Sequence, residues 1–504
     1  MERVTRWPPL AWIAGGLVFI PLATANAAGY RYGVSDQAFY IPVVLHALNP
    51  ATFPRDAALI DAEGRLMIAD EILAWIIRST GLSLETLFFA AYLISLVLIW
   101  AALVLIGTRI SRRPWMALAL GAAFTLRHRI SRTSANTFEP YFHPRMLAFG
   151  FGLLAVAAVL RRRDWTAVAL VAICALIHVT TAMWFAVLIG TALVILDSTF
   201  RRLAIVAAVG VAAFATWAVT LGPLRTSLVR MDDHWLQAVA AKDSLFPFDW
   251  PIWAWVLNLA LLAVLWLAVT WRDRRGVAAP EDRALAWGAT VLVSLFLVTL
   301  PLVWLRLALP TELQISRIFW LVDLLATAYA IAAIADASSA RRLMPRLVLA
   351  AVVLLSLARG VYVMTLEHPE RALFATTLPH SPWEDAMAWL SRQSTDVHVL
   401  ADPGHSWKYG TSVRVSAGRD VFLEEVKDSA IAIYSREVAT RVVERSQAIG
   451  DFAALTPERA RGLADHYGLD YLVAEARLAL PVAYQNQQFI VYRLSERGRA
   501  STDR

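Results

Sequence analysis

The sequence predicts a mainly α fold: a polytopic helical membrane bundle of about eleven spans followed by a small soluble α/β domain. Three observations lead there. The 504 residues are 58% hydrophobic, with 20 Trp, which exceeds the roughly 45–50% apolar share of soluble chains. Ten or eleven apolar stretches, cut apart by short Arg clusters, lie between residues 8 and 364. From about residue 365 the hydropathy falls, and Pro379, Pro382 and Pro403 punctuate alternating helix and strand patterns.

A spanning helix needs about 20 apolar residues, and 8–28, 85–107, 203–221, 251–271, 284–306, 317–335 and 346–364 supply them. The first follows Arg3 and Arg6 and ends in Ala-Thr-Ala-Asn-Ala-Ala, imitating a signal peptide. The many spans behind it make an uncleaved first helix the better reading. Stretches 114–126 and 145–160 add two more. Stretch 165–196 is too long for one untilted span and carries His178, Thr180 and Thr181 at its middle, so it reads as a hairpin.

Eleven helices place Arg109, Arg112, Arg113, Arg161 to Arg163, Arg201, Arg202, Arg272 to Arg275, Arg341 and Arg342 on one side. The positive-inside bias makes that side cytoplasmic. The N-terminus is then cytoplasmic and the C-terminal domain periplasmic. A nine-span alternative has 114–126 not crossing and 165–196 crossing once; it moves Arg127, Arg129, Arg132 and Arg145 inside and Arg161 to Arg163 outside. The expected domains are 1–364, a transmembrane bundle with a long outward first loop at 29–84, and 365–504, the soluble domain. Arg-rich, Lys-poor, Ala-rich usage points to a bacterial inner membrane.

The formal net charge is +7, but the positive charge sits in hinges between apolar runs and forms no single basic face. It reads as topology signalling, with no nucleic-acid partner. Cys174 is the one cysteine, which excludes a disulfide framework and zinc-thiolate chemistry. In the tail, Ser381 and Thr456 read as N-caps, each followed by Pro at the first turn. The helices they open run to Leu390 and to a stop before Gly468. Val397 to Ala401, Val413 to Val415, Tyr471 to Ala474 and Phe489 to Tyr492 suit strands. No P-loop or GxGxxG precedes a helix there, and Asp402-Pro403-Gly404-His405 reads as an ordinary turn.

Candidate chemistry faces outward, because the inward loops are brief. Asp36, within a few residues of the end of the first helix, is placed to act as a general base near the lipid surface; Asp56 follows in the same loop. The bland reading of both is a solvated loop acid. Arg129, Arg132 and Arg145 form a basic cluster that suits a phosphate or pyrophosphate. Glu139 and His143, four apart, are a possible pair for a divalent ion such as Mg or Mn, although Pro140 and Pro144 oppose a regular helix there. His178 suits a polar pocket at the hairpin tip. Gln314 and Arg317 precede the tenth span, and Arg317 offers a planar fork for a lipid phosphate or an interfacial anchor.

The acid after the first helix, the long outward loop, the ten or so spans and the soluble tail together resemble the GT-C superfamily of membrane glycosyltransferases. The resemblance implies transfer of a sugar from a polyprenyl-phosphate donor to a glycan, lipid or protein acceptor. It gives Asp36 in Ser35-Asp36-Gln37 the role of base, and likens Arg317 in Gln314-Ile315-Ser316-Arg317 to the late-loop Arg that meets the donor phosphate. Many members carry a second acid where this chain has Gln37, which weakens metal binding. Two other classes remain open: a transporter or flippase with Asp, Arg and His along a passage, and a non-catalytic GT-C-like scaffold whose periplasmic domain binds a partner.

Overall fold

The computed structural model describes residues 8–495 apart from 65–67, 112, 114, 127–128, 223, 226 and 338–342. Arg3, Arg6, Arg112, Arg127, Arg341 and Arg342 lie outside the described residues. The chain divides into two compact units. The first comprises Met1–Tyr30, Ala90–Arg230 and Lys242–Phe374; the second comprises Arg31–Phe89, Met231–Ala241 and Ala375–Arg504. The first-loop segment thus groups with the C-terminal segment.

The apolar stretches form Pro9–Asn26, Leu84–Ile110, Trp115–Leu126, Pro144–Val159, Asp164–Ile177, Val179–Leu196, Ser198–Thr220, Ile252–Arg274, Pro280–Trp304, Ile318–Ala337 and Met344–Tyr362. Among the described residues, eight helices are long and apolar enough to cross a membrane, and the chain is a multi-pass membrane protein. Trp115–Leu126, Pro144–Val159 and Asp164–Ile177 have 12, 16 and 14 residues. At about 1.5 Å per residue they fall short of a hydrocarbon core about 30 Å thick.

Side-chain contacts show how the short helices run. Arg162 Nη2 donates to Leu196 O at 3.5 Å, so the helices on either side of His178 return to one end of the unit as a hairpin. At its tip the His178 ring lies 6.4 Å from that of His143, the residue that caps Pro144–Val159. The Arg-rich turns gather at the hairpin's open end. There Arg109 pairs with Glu281 at 3.4 Å and Arg272 with Asp336, while Arg161 donates to Thr108 Oγ1 at 3.3 Å.

Small residues let the helices approach. A Cβ on Gly288 would stand 2.6 Å from Leu188 O, and one on Gly152 would overlap the Phe185 ring. Polar side chains join the first helix to its neighbours: Asn26 Nδ2 donates to Ser356 O at 3.1 Å, and Thr24 and Tyr92 share a 3.0 Å hydrogen bond. The outer faces are apolar. Ile205, Val206, Val209 and Phe214 on one helix are each more than 60% exposed, which is costly in water and free in lipid.

In the second unit, strands β1 (His398–Leu400), β2 (Asp420–Val421), β3 (Tyr471–Ala474), β4 (Val482–Gln485) and β5 (Ile490–Arg493) form one sheet in the order β2-β1-β3-β5-β4. β1 is parallel to β2 and β3, and β5 is antiparallel to β3 and β4. Trp383, Met387, Val399, Val421, Val473 and Val491 are in its core. The expected caps form: Ser381 Oγ accepts from Glu384 N and Thr456 Oγ1 from Arg459 N, each at 3.3 Å. Gly468, at φ +65, ends the second helix. Val413 to Val415 is not a strand. Val413–Ser416 is one helical turn, because Ser412 Oγ accepts from Arg414 N at 3.1 Å and three residues set no strand period of their own.

Candidate functional site

The chain enters the second unit through a tight turn with Gly33 at φ +81 and Ser35 at φ +53. At φ +81 Gly33 takes a backbone conformation that L side chains rarely adopt, and a Cβ there would crowd the Leu378 side chain at 2.6 Å. Gln37 is fully buried, and its Oε1 accepts the Gly33 N–H at 2.6 Å. Asp36 stands at the N-cap of Gln37–Leu48, yet its carboxylate makes no capping bond. Instead Oδ1 accepts from Lys427 Nζ at 2.9 Å, and the same ammonium donates to Ser35 Oγ at 3.3 Å. Lys427 is 4% exposed and lies 5.4 Å from the Phe39 ring centroid and 5.5 Å from that of Trp407. The Asp36 side chain keeps 30% of its surface and Trp407 keeps 65%. A partly exposed carboxylate oriented by a buried ammonium, next to an open indole face, can take a proton from a bound hydroxyl.

This donor set does not fit a divalent ion. Gln37 is committed to the turn, and the group facing Asp36 is itself a cation. No cluster of three or more His, Cys, Asp or Glu suited to a metal occurs among the described residues.

Asp56 is placed differently. Its carboxylate is wholly buried and accepts from Arg414 Nε at 2.7 Å, from Arg441 Nη2 and from Val421 N at 3.2 Å. Burial alone would raise its pKa, but the two guanidinium groups outweigh burial and hold the carboxyl far below the usual range. Arg414 also forks onto Asp428 at 2.6 and 3.2 Å. Asp420 accepts from the backbone N–H groups of Arg55 and Asp56 at 3.1 and 3.0 Å. These contacts fasten the first-loop segment to the sheet.

In the first unit, five of the expected residues come together. Arg145 pairs with Glu139 at 3.0 Å and lies 5.8 Å from the Trp320 ring centroid. His143 Nδ1 accepts from Arg145 N at 3.0 Å, and the charges of Arg145 and Arg317 both act on the His178 ring. Glu139 and His143 are therefore engaged by Arg145. His178 Nδ1 accepts from Thr181 N at 3.3 Å and so caps its own helix. Gln314, at φ +48, forms the turn before Arg317. Arg132 pairs with Asp243 and lies 5.8 Å from Trp253. Arg129 lines a pocket of about 260 Å³ with Asn26, Asn136, Glu139, Arg359 and Glu367.

Lys427, Trp407 and Arg359 were not singled out from sequence. One signal was available: the chain has only three lysines, Lys242, Lys408 and Lys427, against 44 arginines. A compact ammonium in such a background marks a place where Arg does not serve.

The fold and this arrangement define a multi-pass membrane protein with a mixed-sheet unit that carries a lysine-paired aspartate. No family model and no curated protein matches the chain. Among solved structures it is similar to the oligosaccharyltransferase of Archaeoglobus fulgidus, crystallised with a tethered acceptor peptide containing the NVT sequon. The two share 12% identity with a TM-score of 0.43, over 93% of this chain and 69% of that one.

Proposed function

We propose that the chain is an integral-membrane glycosyltransferase that moves a sugar from a polyprenyl-phosphate donor to an outward-facing acceptor, with Asp36 as general base. The observation that carries this reading is the Asp36 carboxylate: it declines the helix cap beside it and is held at 2.9 Å on Lys427, next to the exposed Trp407. In the step, the acceptor hydroxyl gives its proton to Asp36 and its oxygen bonds to the anomeric carbon. The carbon–oxygen bond to the donor phosphate breaks, and polyprenyl phosphate leaves with the electron pair. Arginine is suited to the charge that develops on that phosphate. Glycan, lipid and protein acceptors all fit this chemistry, and the proposed setting is a bacterial inner membrane with the C-terminal domain periplasmic.

The test is transfer by the full chain, reconstituted in vesicles, from a polyprenyl-phosphate sugar. Asp36→Asn lowers turnover at least about 100-fold in protein that still folds, with a lowered thermal midpoint because the buried Lys427 loses its anionic partner. Near-normal turnover removes Asp36 from the mechanism. No transfer by the wild-type chain, with loss of stability in both Asp36→Asn and Lys427→Met, supports the non-catalytic scaffold, in which the pair is only a latch.

A further inference from the structure

The second unit holds a pocket of about 300 Å³ whose polar walls are Arg55, Glu437, Arg441, Glu444, Arg445 and Tyr467. Arg55 arrives from the first-loop segment, with Nη1 donating to Gly468 O at 2.7 Å. Arg441 and Arg445 stand one turn apart on Arg436–Ile449, a spacing at which like charges repel. Arg441 Nη2 is held by Asp56, but its buried Nε has no partner among the described residues. Arg445 lies 4.8 Å from the Phe422 ring centroid and donates to Phe422 O. No ion pair among the described residues joins Glu437 or Glu444 to these arginines. Asp56 answers Arg441 and is shared with Arg414.

The pocket's guanidinium groups act on their neighbours, behind burial. Burial, then the charge of Arg441, lowers the Arg445 guanidinium to about 10. Burial, with Arg445, Arg55 and Arg441 behind it, holds His398 down at about 4 against the pull of Asp56. Two arginines kept one turn apart in a half-desolvated wall cost stability unless an anion joins them.

We propose that this pocket binds the phosphate group of a phosphorylated saccharide. Arg55, Arg441 and Arg445 line one pocket, and among the described residues no ion pair joins them to its glutamates and the buried Arg441 Nε is left without a partner, whereas a phosphate offers three terminal oxygens to such guanidinium groups. Glu437 and Glu444 then accept from sugar hydroxyls, and the Tyr467 ring flanks the sugar. The site is separate from the Asp36 reading and stands or falls without it.

The experiment is calorimetric titration of the full chain in detergent with inorganic phosphate, a hexose 6-phosphate and the unphosphorylated hexose. Saturable binding of the hexose 6-phosphate, tighter than inorganic phosphate and absent for the hexose, is the expected result. Arg445→Gln and Arg55→Gln each weaken it about tenfold, and the exposed Arg461→Gln, outside the pocket, does not. Arg55→Gln keeps the test decisive if Arg445→Gln unfolds the unit. Equal affinity for the two phosphates assigns the pocket to the free anion and overturns the saccharide ligand. No saturable phosphate binding, or binding that survives both pocket substitutions, overturns the site.

Discussion

Asp36 and Asp56 lie on one loop, 20 residues apart, and the sequence offers the same two readings for both: chemistry or a solvated acid. Burial separates them. Asp56 is closed in by Arg414 and Arg441, and a buried charge stripped of its partner is costly, so Arg414→Ala should lower stability by about 3–5 kcal/mol. Chemical denaturation of the full chain in detergent measures that loss. His405 supplies a pH test. Its Nδ1 donates to Asp402 O at 2.8 Å and its Nε2 accepts from Val413 N at 3.3 Å, the pattern of a neutral ring. Burial lowers its pKa although Glu424, 3.8 Å away, pulls upward. The unfolded chain therefore takes a proton near about pH 6.5 that the folded chain refuses, and stability falls as the pH drops through that value. Asp420 acts in the opposite sense. Burial, then the charge of Asp56, raises it to about 7, so its contribution grows as the pH falls from there toward about 4. Unfolding midpoints at about pH 7.5 and about pH 5 should show a smaller acid loss in His405→Gln and a larger one in Asp420→Asn.

At the scale of elements, hydropathy placed every bundle helix. The hairpin break at His178 was legible because two threonines and a histidine interrupt an apolar run too long for one crossing. Helix contacts were not legible. Gly288 reads as one more small residue in an apolar run, yet its Cβ position is 2.6 Å from the Leu188 backbone oxygen. A backbone atom cannot swing aside, so Gly288→Ala should force Val179–Leu196 away from Pro280–Trp304 and cost about 1–3 kcal/mol. A lowered thermal midpoint in detergent is the readout, and an unchanged midpoint would show that the two helices yield. In the second unit the capped helices were read correctly from Ser381 and Thr456. The turn at Val413–Ser416 was misread as a strand, because its cap, Ser412, carries a signal no stronger than any other serine.

At the scale of the whole molecule, the contacts of the first unit set Arg162 and Leu196 at one end and His178 and His143 at the other, so 165–196 is a hairpin and not one straight helix. Cysteine labelling in intact cells, in a Cys174→Ser background, gives this its cellular sense. Positions 36, 131 and 410 should react from outside and position 163 should not. Reaction at 163 instead of 131 would restore the nine-span arrangement.

The sequence by itself determined the membrane class, the approximate limits of the apolar helices, the position of the hairpin break and the two best-capped helices of the tail, because hydropathy and capping are local signals carried by neighbouring residues. Tertiary structure alone decided that the first-loop segment joins the C-terminal sheet, that Asp56 is buried beneath two arginines and that Lys427 is the partner of Asp36. Each of those depends on residues about 360 to 390 positions apart, and one sequence holds no local signal for such pairs.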